Sequence, residues 1–326
     1  MKKHAFLIIF SIMLITIIMG CSQSNKTSCI NEIIFQLNWT DDPTFTGEYI
    51  AKEKFWFLNK LNVKIKQGGI GIDPISMVIS KKADYAVVGA DKALVAISDG
   101  KPIKIISVDL QRNPVGWIAR QNLKILSFED LRNRKDIILG DKAGTETSAI
   151  LELVLKRKNM NIKPQAVSFD FSYFLANENV VYPVYLNEEP VKATLVHNLK
   201  ITEIDPASEI NGGIKMYGNV IITHSEKILE CPKQVDNLVQ GIKDGWNFAK
   251  NNKEEALAIV LKYVKNEPNY VRNTMDRTID FATNMYGKPI PPGHMEYTAW
   301  ENTLKILKEA KILAGDVDLK NAIYMK

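Results

Sequence analysis

From Glu32 onward, short apolar runs alternate with stretches in which apolar residues recur every three to four positions. Ile33-Ile34-Phe35-Gln36-Leu37 reads as a buried strand, and 47–57 follows with helical spacing. Val63-Lys64-Ile65-Lys66 alternates with period two, the mark of a strand with one wet face. Gly68 to Gly71 predicts a loop, and Asp73-Pro74 opens a helix with a capping carboxylate and a proline in its first turn. Tyr85 to Gly89 is again a buried strand, with Asp91 placed to cap a helix over 92–98. Strands are predicted over 104–108 and 116–120. A second run begins near Phe128: helix, strand 137–139, helix from Thr145, then strands 166–169 and 181–185. After a strand over 219–223 the chain is nearly all helical, with amphipathic stretches over 235–250, 254–264, 270–284 and 297–311.

Alternating strands and helices predict an α/β protein with a largely parallel sheet. Two such halves and a helical tail suggest a bilobal clamp that the chain crosses near 109–113 and near 212–218. The expected division is 32–110 with 218–326 as one lobe and 111–217 as the other. Ligands of such folds lie between the lobes, outside the carboxyl ends of parallel strands.

The first 31 residues have a different character. Lys2 and Lys3 precede an apolar run over 5–18, then Met19-Gly20-Cys21 and the polar stretch 22–28. This is the layout of a secretory signal, and the run is too short to span a ~30 Å hydrocarbon core comfortably. Cys21 after a small residue resembles the lipobox of bacterial lipoproteins. That resemblance implies a signal peptide over 1–20, lipidation of Cys21 and a leash over 21–31, holding the protein outside the cytoplasmic membrane. The other reading is an ordinary signal with a chance cysteine. Cys29 and Cys231 are the two remaining thiols, enough for one bond in an oxidising compartment but not for a disulfide framework.

Composition narrows the chemistry. The formal charge of +5 falls to +3 without Lys2 and Lys3, and no basic stripe favours nucleic acid. The sequence has no C-x-x-C, H-E-x-x-H, G-x-S-x-G or Walker loop, and His4, His197, His224 and His294 are scattered. No metal or cofactor is expected, and enzyme chemistry starts from a weak position.

An ordered series of segments resembles one family. These are Phe35-Gln-Leu-Asn-Trp39, Gly47 to Lys54, Gly69 to Val78, Ala83 to Asp91, Gly100-Lys101-Pro102, Asn113 to Trp117, Asn187-Glu188-Glu189-Pro190, and Trp300 to Asp318. Together they resemble ABC-importer substrate-binding proteins related to the nitrate, sulfonate and taurine binders and to the binders of thiamine's pyrimidine precursors. The resemblance implies a type II periplasmic-binding-protein-like fold and a small-molecule ligand captured by lobe closure. It further implies an ABC permease and its ATPase as partners, and a monomer. Glycines of the family are replaced at Phe55, at Lys60 and at Lys311, and Asn179-Val180 stands for a Val-Asp pair. At Phe55 the family position tends to need a left-handed backbone.

The resemblance and the residue chemistry together nominate a site. Trp39 ends a strand at the predicted cleft, where it can stack on a flat ring or sit in the core; Asn38 adjoins it. Tyr49 and Tyr185 are candidate aromatic walls, with core packing as the alternative. Asp91 is a cap or a ligand contact, and Asn113 and Trp117 flank the first crossing. Thr145 opens a helix whose free N–H groups can receive a carbonyl or an anion. Glu189, with Glu188 beside it, can accept hydrogen bonds from an aminopyrimidine or another N–H-bearing ring. A thiamine-pyrimidine precursor is the leading ligand; riboflavin-like rings come next, and sulfonate or nitrate is disfavoured because the matched segments offer no prominent Arg or Lys. A synthase like the fungal pyrimidine synthase, which resembles this fold, needs a Cys-rich segment and a reactive His that these segments lack. A surface lipoprotein that no longer transports is the third reading.

Overall fold

Two five-stranded sheets divide the chain, each at the centre of one lobe. The strands are β1 (Ile33–Gln36), β2 (Val63–Lys66), β3 (Tyr85–Gly89), β4 (Ile103–Val108), β5 (Val115–Arg120), β6 (Ile138–Asp141), β7 (Gln165–Ala166), β8 (Val180–Tyr185), β9 (Ile201–Ile204) and β10 (Asn219–His224). The first sheet has the order β2-β1-β3-β10-β4 and the second β7-β6-β8-β5-β9. This computed structural model describes residue 29 and residues 32–325. The apolar run, Cys21 and most of the leash therefore lie outside the described residues. Among those residues no helix is long and apolar enough to cross a membrane. Cys29 and Cys231 are each in the disulfide form.

Neither sheet is largely parallel. β1 pairs parallel with β2 and β3, but β10 runs antiparallel to both β3 and β4. In the second sheet β6 pairs parallel with β7 and β8, while β5 runs antiparallel to β8 and β9. The reversed strands are those that arrive from the other lobe. A strand entering from the hinge side runs against strands that end there.

The uninterrupted apolar runs form the central strands. In β3, Tyr85 to Val88 are buried, and in β8 so are Val180 to Val184. Residues covered on both faces need no polar alternation, which is why these runs read as continuously apolar. β9, with three partly exposed residues out of four, has too little apolar content to stand out from the sequence. The strand expected over 166–169 is only the two-residue β7.

The helices of consequence are α1 (Thr46–Ile50), α2 (Pro74–Ile79), α3 (Ala90–Ser98), α4 (Glu146–Arg157), α5 (Pro232–Asn251), α6 (Lys253–Val260), α7 (Pro268–Thr283) and α8 (Tyr297–Glu309). Asp73 caps α2 as expected, accepting from the Ile75 N–H at 3.1 Å. Asp91 does not cap α3: Gly89 is the N-cap, and Asp91 lies inside the first turn. The helix predicted near Phe128 is a single 3-10 turn over Phe128–Leu131, opened by a Ser127/Asp130 capping box.

The replaced glycines behave unequally. α1 runs on as a π-helical turn, Ala51–Phe55, and the next residue, Trp56, keeps right-handed helical dihedrals, so no left-handed residue is needed at Phe55. Lys60 and Lys311, by contrast, both hold φ of 58°. The chain has kept the turn geometry there and placed a side chain on it, at a cost of about 1 kcal/mol each.

Candidate functional site

The carboxyl ends of β1, β3, β6 and β8 supply the polar residues that meet between the lobes, the position where α/β folds of this kind hold ligands. Beyond β1 come Asn38, Trp39, Asp41 and Asp42. Their backbone is pinned by Gly68, whose N–H donates to the Trp39 carbonyl at 2.8 Å. A Cβ on Gly68 would lie 2.4 Å from the Leu37 carbonyl oxygen, so only glycine allows this approach. Trp39 is 49% exposed and is therefore a surface ring rather than a core residue. Asn38 Nδ2 donates to Asn219 Oδ1 at 3.4 Å, tying the loop to β10.

The second lobe contributes the segment after β8. Tyr185 is 46% exposed. Its N–H donates to Glu189 Oε2 at 2.8 Å, which fixes the carboxylate beside the ring. Glu188 Oε1 accepts from the Tyr270 hydroxyl of α7 at 3.4 Å. Buried Asn187 donates to Thr44 Oγ1 at 3.1 Å and to Thr278 Oγ1 at 3.3 Å, so the segment is in direct contact with the first lobe and with α7. Lys142, after β6, lies 4.7 Å from the Tyr182 ring centroid.

These groups make an acidic cleft with a thin supply of cations. Burial raises Asp42 to about 7, with the Glu188 charge adding to it. Burial also raises Glu189 to about 7, again with Glu188 contributing. Glu188 and Asp91 are raised by burial as well. Burial pushes Lys142 down, partly offset by Glu188 and Glu189. A carboxylate short of water and of cationic partners gains most from an N–H donor that arrives with a ligand.

Glu146, the first residue of α4, also belongs to this cleft, and no catalytic or binding motif in the sequence marks it. Asn113 Nδ2 donates to Glu146 Oε1 at 2.7 Å, while Asn113 Oδ1 accepts from the Val115 N–H at 2.9 Å. Burial holds the Glu146 carboxyl well above the usual range, and the Asp91 charge raises it further. Thr145 is turned to its own loop, with Oγ1 donating to the Lys142 carbonyl at 2.6 Å. The helix start was legible; the residue that brings a carboxyl there is the next one along.

One expected aromatic wall, Tyr49, and one expected contact at the first crossing, Trp117, are interior. Tyr49 is fully buried, stacks on Tyr263 with centroids 4.3 Å apart, and donates its hydroxyl to Asp41 at 2.8 Å. Trp117 is fully buried and packs edge-on against Phe128 at 5.2 Å. Tyr49 belongs to the core of the first sheet and its helices, with its hydroxyl reaching Asp41, and Trp117 belongs to a second apolar cluster. Two surface cavities lie elsewhere. One, of about 410 Å³, is lined by Arg120, Glu178 and Lys200. The other, of about 460 Å³, lies beside α7, where Arg112–Asp280 and Arg277–Glu203 ion pairs match its charges internally.

The chain matches the family described as NMT1/THI5 like over residues 42–256. A riboflavin-binding protein, RibY of Chloroflexus aurantiacus, is 21% identical over 245 residues, covering 73% of this chain and 68% of the relative. Among solved structures, the ligand-binding component of an ABC-type import system from Staphylococcus aureus, crystallised with zinc, superposes with a TM-score of 0.63 at 14% identity. That superposition covers 90% of this chain and 96% of the other. The periplasmic aliphatic sulphonate binding protein SsuA of Escherichia coli gives a TM-score of 0.66 at 11% identity, covering 90% and 92%.

Proposed function

Because this chain belongs to the NMT1/THI5-like family and has the bilobal fold of ABC-import solute-binding proteins, we propose that it captures a flat, N–H-bearing heterocycle between its lobes and hands it to a permease and its ATPase. A pyrimidine precursor of thiamine is the ligand that fits best. The observation that carries this reading is the cleft's composition: a half-exposed Trp39 facing outward, an exposed Tyr185, and the carboxyl groups of Glu188 and Glu189 with Lys142 as the nearby cation. A ring can stack on the indole while its exocyclic amine donates to Glu189. No reacting group is needed; function follows from tighter binding in the closed arrangement than in the open one. Cys21 is the proposed lipid attachment, with the protein on the outer side of the cytoplasmic membrane. The lobes are proposed to divide as 32–110 with 218–326, and 111–217.

A riboflavin-like ring is the second reading, favoured by the likeness to RibY. It too is flat and carries an N–H donor. Sulfonates and nitrate are disfavoured by a cleft lined with carboxyl groups and poor in cations, despite the fold shared with SsuA.

The test is native mass spectrometry of the protein purified without refolding, then a thermal-shift panel of aminopyrimidine, thiamine, riboflavin, nitrate and taurine. At about 100 times its dissociation constant a true ligand adds ~2.7 kcal/mol, a shift of several degrees. A response to the aminopyrimidine supports the first reading and a response to riboflavin alone the second. A response only to the anions overturns both.

A further inference from the structure

From β4 to β5, and again from β9 to β10, the chain passes from one sheet to the other. The two passages lie side by side. The Gly218 N–H donates to the Leu110 carbonyl at 3.0 Å, and the Asn113 N–H donates to the Met216 carbonyl at 2.9 Å. Gly218 lets them come this close, since a Cβ there would stand 2.7 Å from the Arg112 carbonyl oxygen. The segment between α7 and α8 is fastened to both passages. Gln111 of the first donates its N–H to the Phe281 carbonyl at 2.8 Å and its side-chain amide to the His294 carbonyl at 3.0 Å. The Tyr217 hydroxyl of the second accepts from the Glu296 N–H at 3.0 Å.

Between these anchors the segment folds into a short hairpin, Asn284–Met285 paired with Lys288–Pro289. Its two turn residues are Tyr286 and Gly287, with φ of 51° and 91°. Turns of this kind favour Asn, Asp or Gly at the first position, and a bulky aromatic held there is strained. That strained position sets the phenol hydroxyl on Met216. The hydroxyl accepts from the Met216 N–H at 2.8 Å and donates to the Met216 carbonyl at 2.6 Å, the same oxygen that the Asn113 N–H uses. Met216 is 2% exposed and belongs to no strand or helix, so the phenol stands in for a ladder that the passage lacks. Backbone strain persists only where the surrounding structure holds it, and it gathers at positions with a task.

We propose that Tyr286 is the positioning residue of the hinge: its hydroxyl locks Met216 to Asn113, so that the two passages bend as one when the lobes move. The inference rests on the solute-binding reading, in which the lobes close on a ligand. Asn113 carries the effect into the cleft. Its backbone is joined to Met216, and its side chain donates to Glu146 Oε1 at 2.7 Å. A loosened Met216 therefore loosens the residue that holds Glu146. Without the phenol oxygen, the buried Met216 N–H loses its partner and the passage opens locally more often.

The experiment is hydrogen–deuterium exchange, read by mass spectrometry on the full chain in detergent without ligand. In wild type the Met216 amide should exchange as slowly as the amides of β10, although it lies outside any strand. Tyr286→Phe keeps the ring and the turn and removes only the oxygen. In that variant the Met216 and Asn113 amides should exchange about tenfold faster or more, while those of β3 and β8 change little. Tyr286→Asn suits the turn better but is too short to reach Met216, and it should loosen the same two amides. A residue that serves only the turn predicts no loosening there. Stopped-flow binding of 4-amino-5-hydroxymethyl-2-methylpyrimidine reads the consequence: dissociation should quicken by roughly threefold or more in both variants, with association little changed.

Three results overturn the proposal. One is a wild-type Met216 amide that exchanges as fast as an open loop, a measurement that needs no variant to fold. Another is exchange in Tyr286→Phe that is unchanged at the passages or raised equally throughout both sheets. The third is faster exchange at the passages with an unaltered dissociation rate. Failure of wild type to bind the pyrimidine would sink the ligand reading, while the exchange comparison still judges Tyr286.

Discussion

Glu48 of α1 and Asp109, just past the end of β4, are neighbouring carboxyls in one fully enclosed site, where Asp109 accepts from the Trp246 indole N–H at 2.8 Å. Among the described residues neither Glu48 oxygen has a hydrogen-bond partner. Two carboxyls in one dry site cannot both be ionised cheaply, so the pair keeps a proton.

That pair predicts a stability that declines with alkalinity. Burial raises Asp109 to about 7, and burial with the Asp109 charge raises Glu48 well above its usual range. In the unfolded chain both lose their protons near pH 4. The native state therefore binds more protons above pH 4, and stability falls as pH rises from about 4, the Asp109 share levelling off above about 7 and the Glu48 share continuing further. Asp42 and Glu189 add to the slope in the same direction. Glu48→Gln supplies a permanent donor to Asp109, so its melting temperature should change less between pH 5 and pH 8.5 than that of wild type. Melting curves across that range check it; an unchanged slope would exclude the pair as its source.

Trp39 and Trp117 should separate binding from folding. Trp39→Ala removes a half-exposed ring and should cost under about 1 kcal/mol of stability while weakening ligand binding by roughly threefold to tenfold. Trp117→Ala empties a fully enclosed site and should cost about 3–5 kcal/mol. Urea unfolding and calorimetry on the two variants, run side by side, make the comparison. Equal effects on both quantities would mean Trp39 has no special role.

Lys60→Gly and Lys311→Gly should each stabilise the protein by about 0.5–1 kcal/mol, because glycine adopts φ near 58° without strain. The same substitution at Phe55, where the flanking residues keep right-handed helical dihedrals, should destabilise it by a similar amount. Denaturant midpoints of the three variants give the signs directly.

Much of the fold was legible because its strands are buried on both faces. A run such as Tyr85-Ala-Val-Val-Gly89 has few alternatives to a central strand. Direction was not legible. Nothing within Asn219–His224 says that it inserts antiparallel between β3 and β4, since pairing partners more than 100 residues away set that. The site divided in the same way. Residues on the loops after strands, such as Trp39 and Glu189, could be nominated from position and chemistry. Trp117 and Tyr49 carry the same chemistry but point into the core, and a side chain's facing depends on register. Glu146 carries no such mark, because an acid in a helix's first turn is ordinary.

The late arrival of β10 also has a consequence for how the protein is made. Synthesis from the amino end delivers β3 and β4 long before the strand that joins them. Until residues 219–224 emerge, β3 has one bare hydrogen-bonding edge and β4 has no strand partner, and the whole second lobe is made in between. Such a nascent chain is slow to close and exposed to edge-to-edge association in the interval. Truncations upstream of β10 should accumulate as aggregates, whereas those removing only the last few residues should leave the first sheet closed.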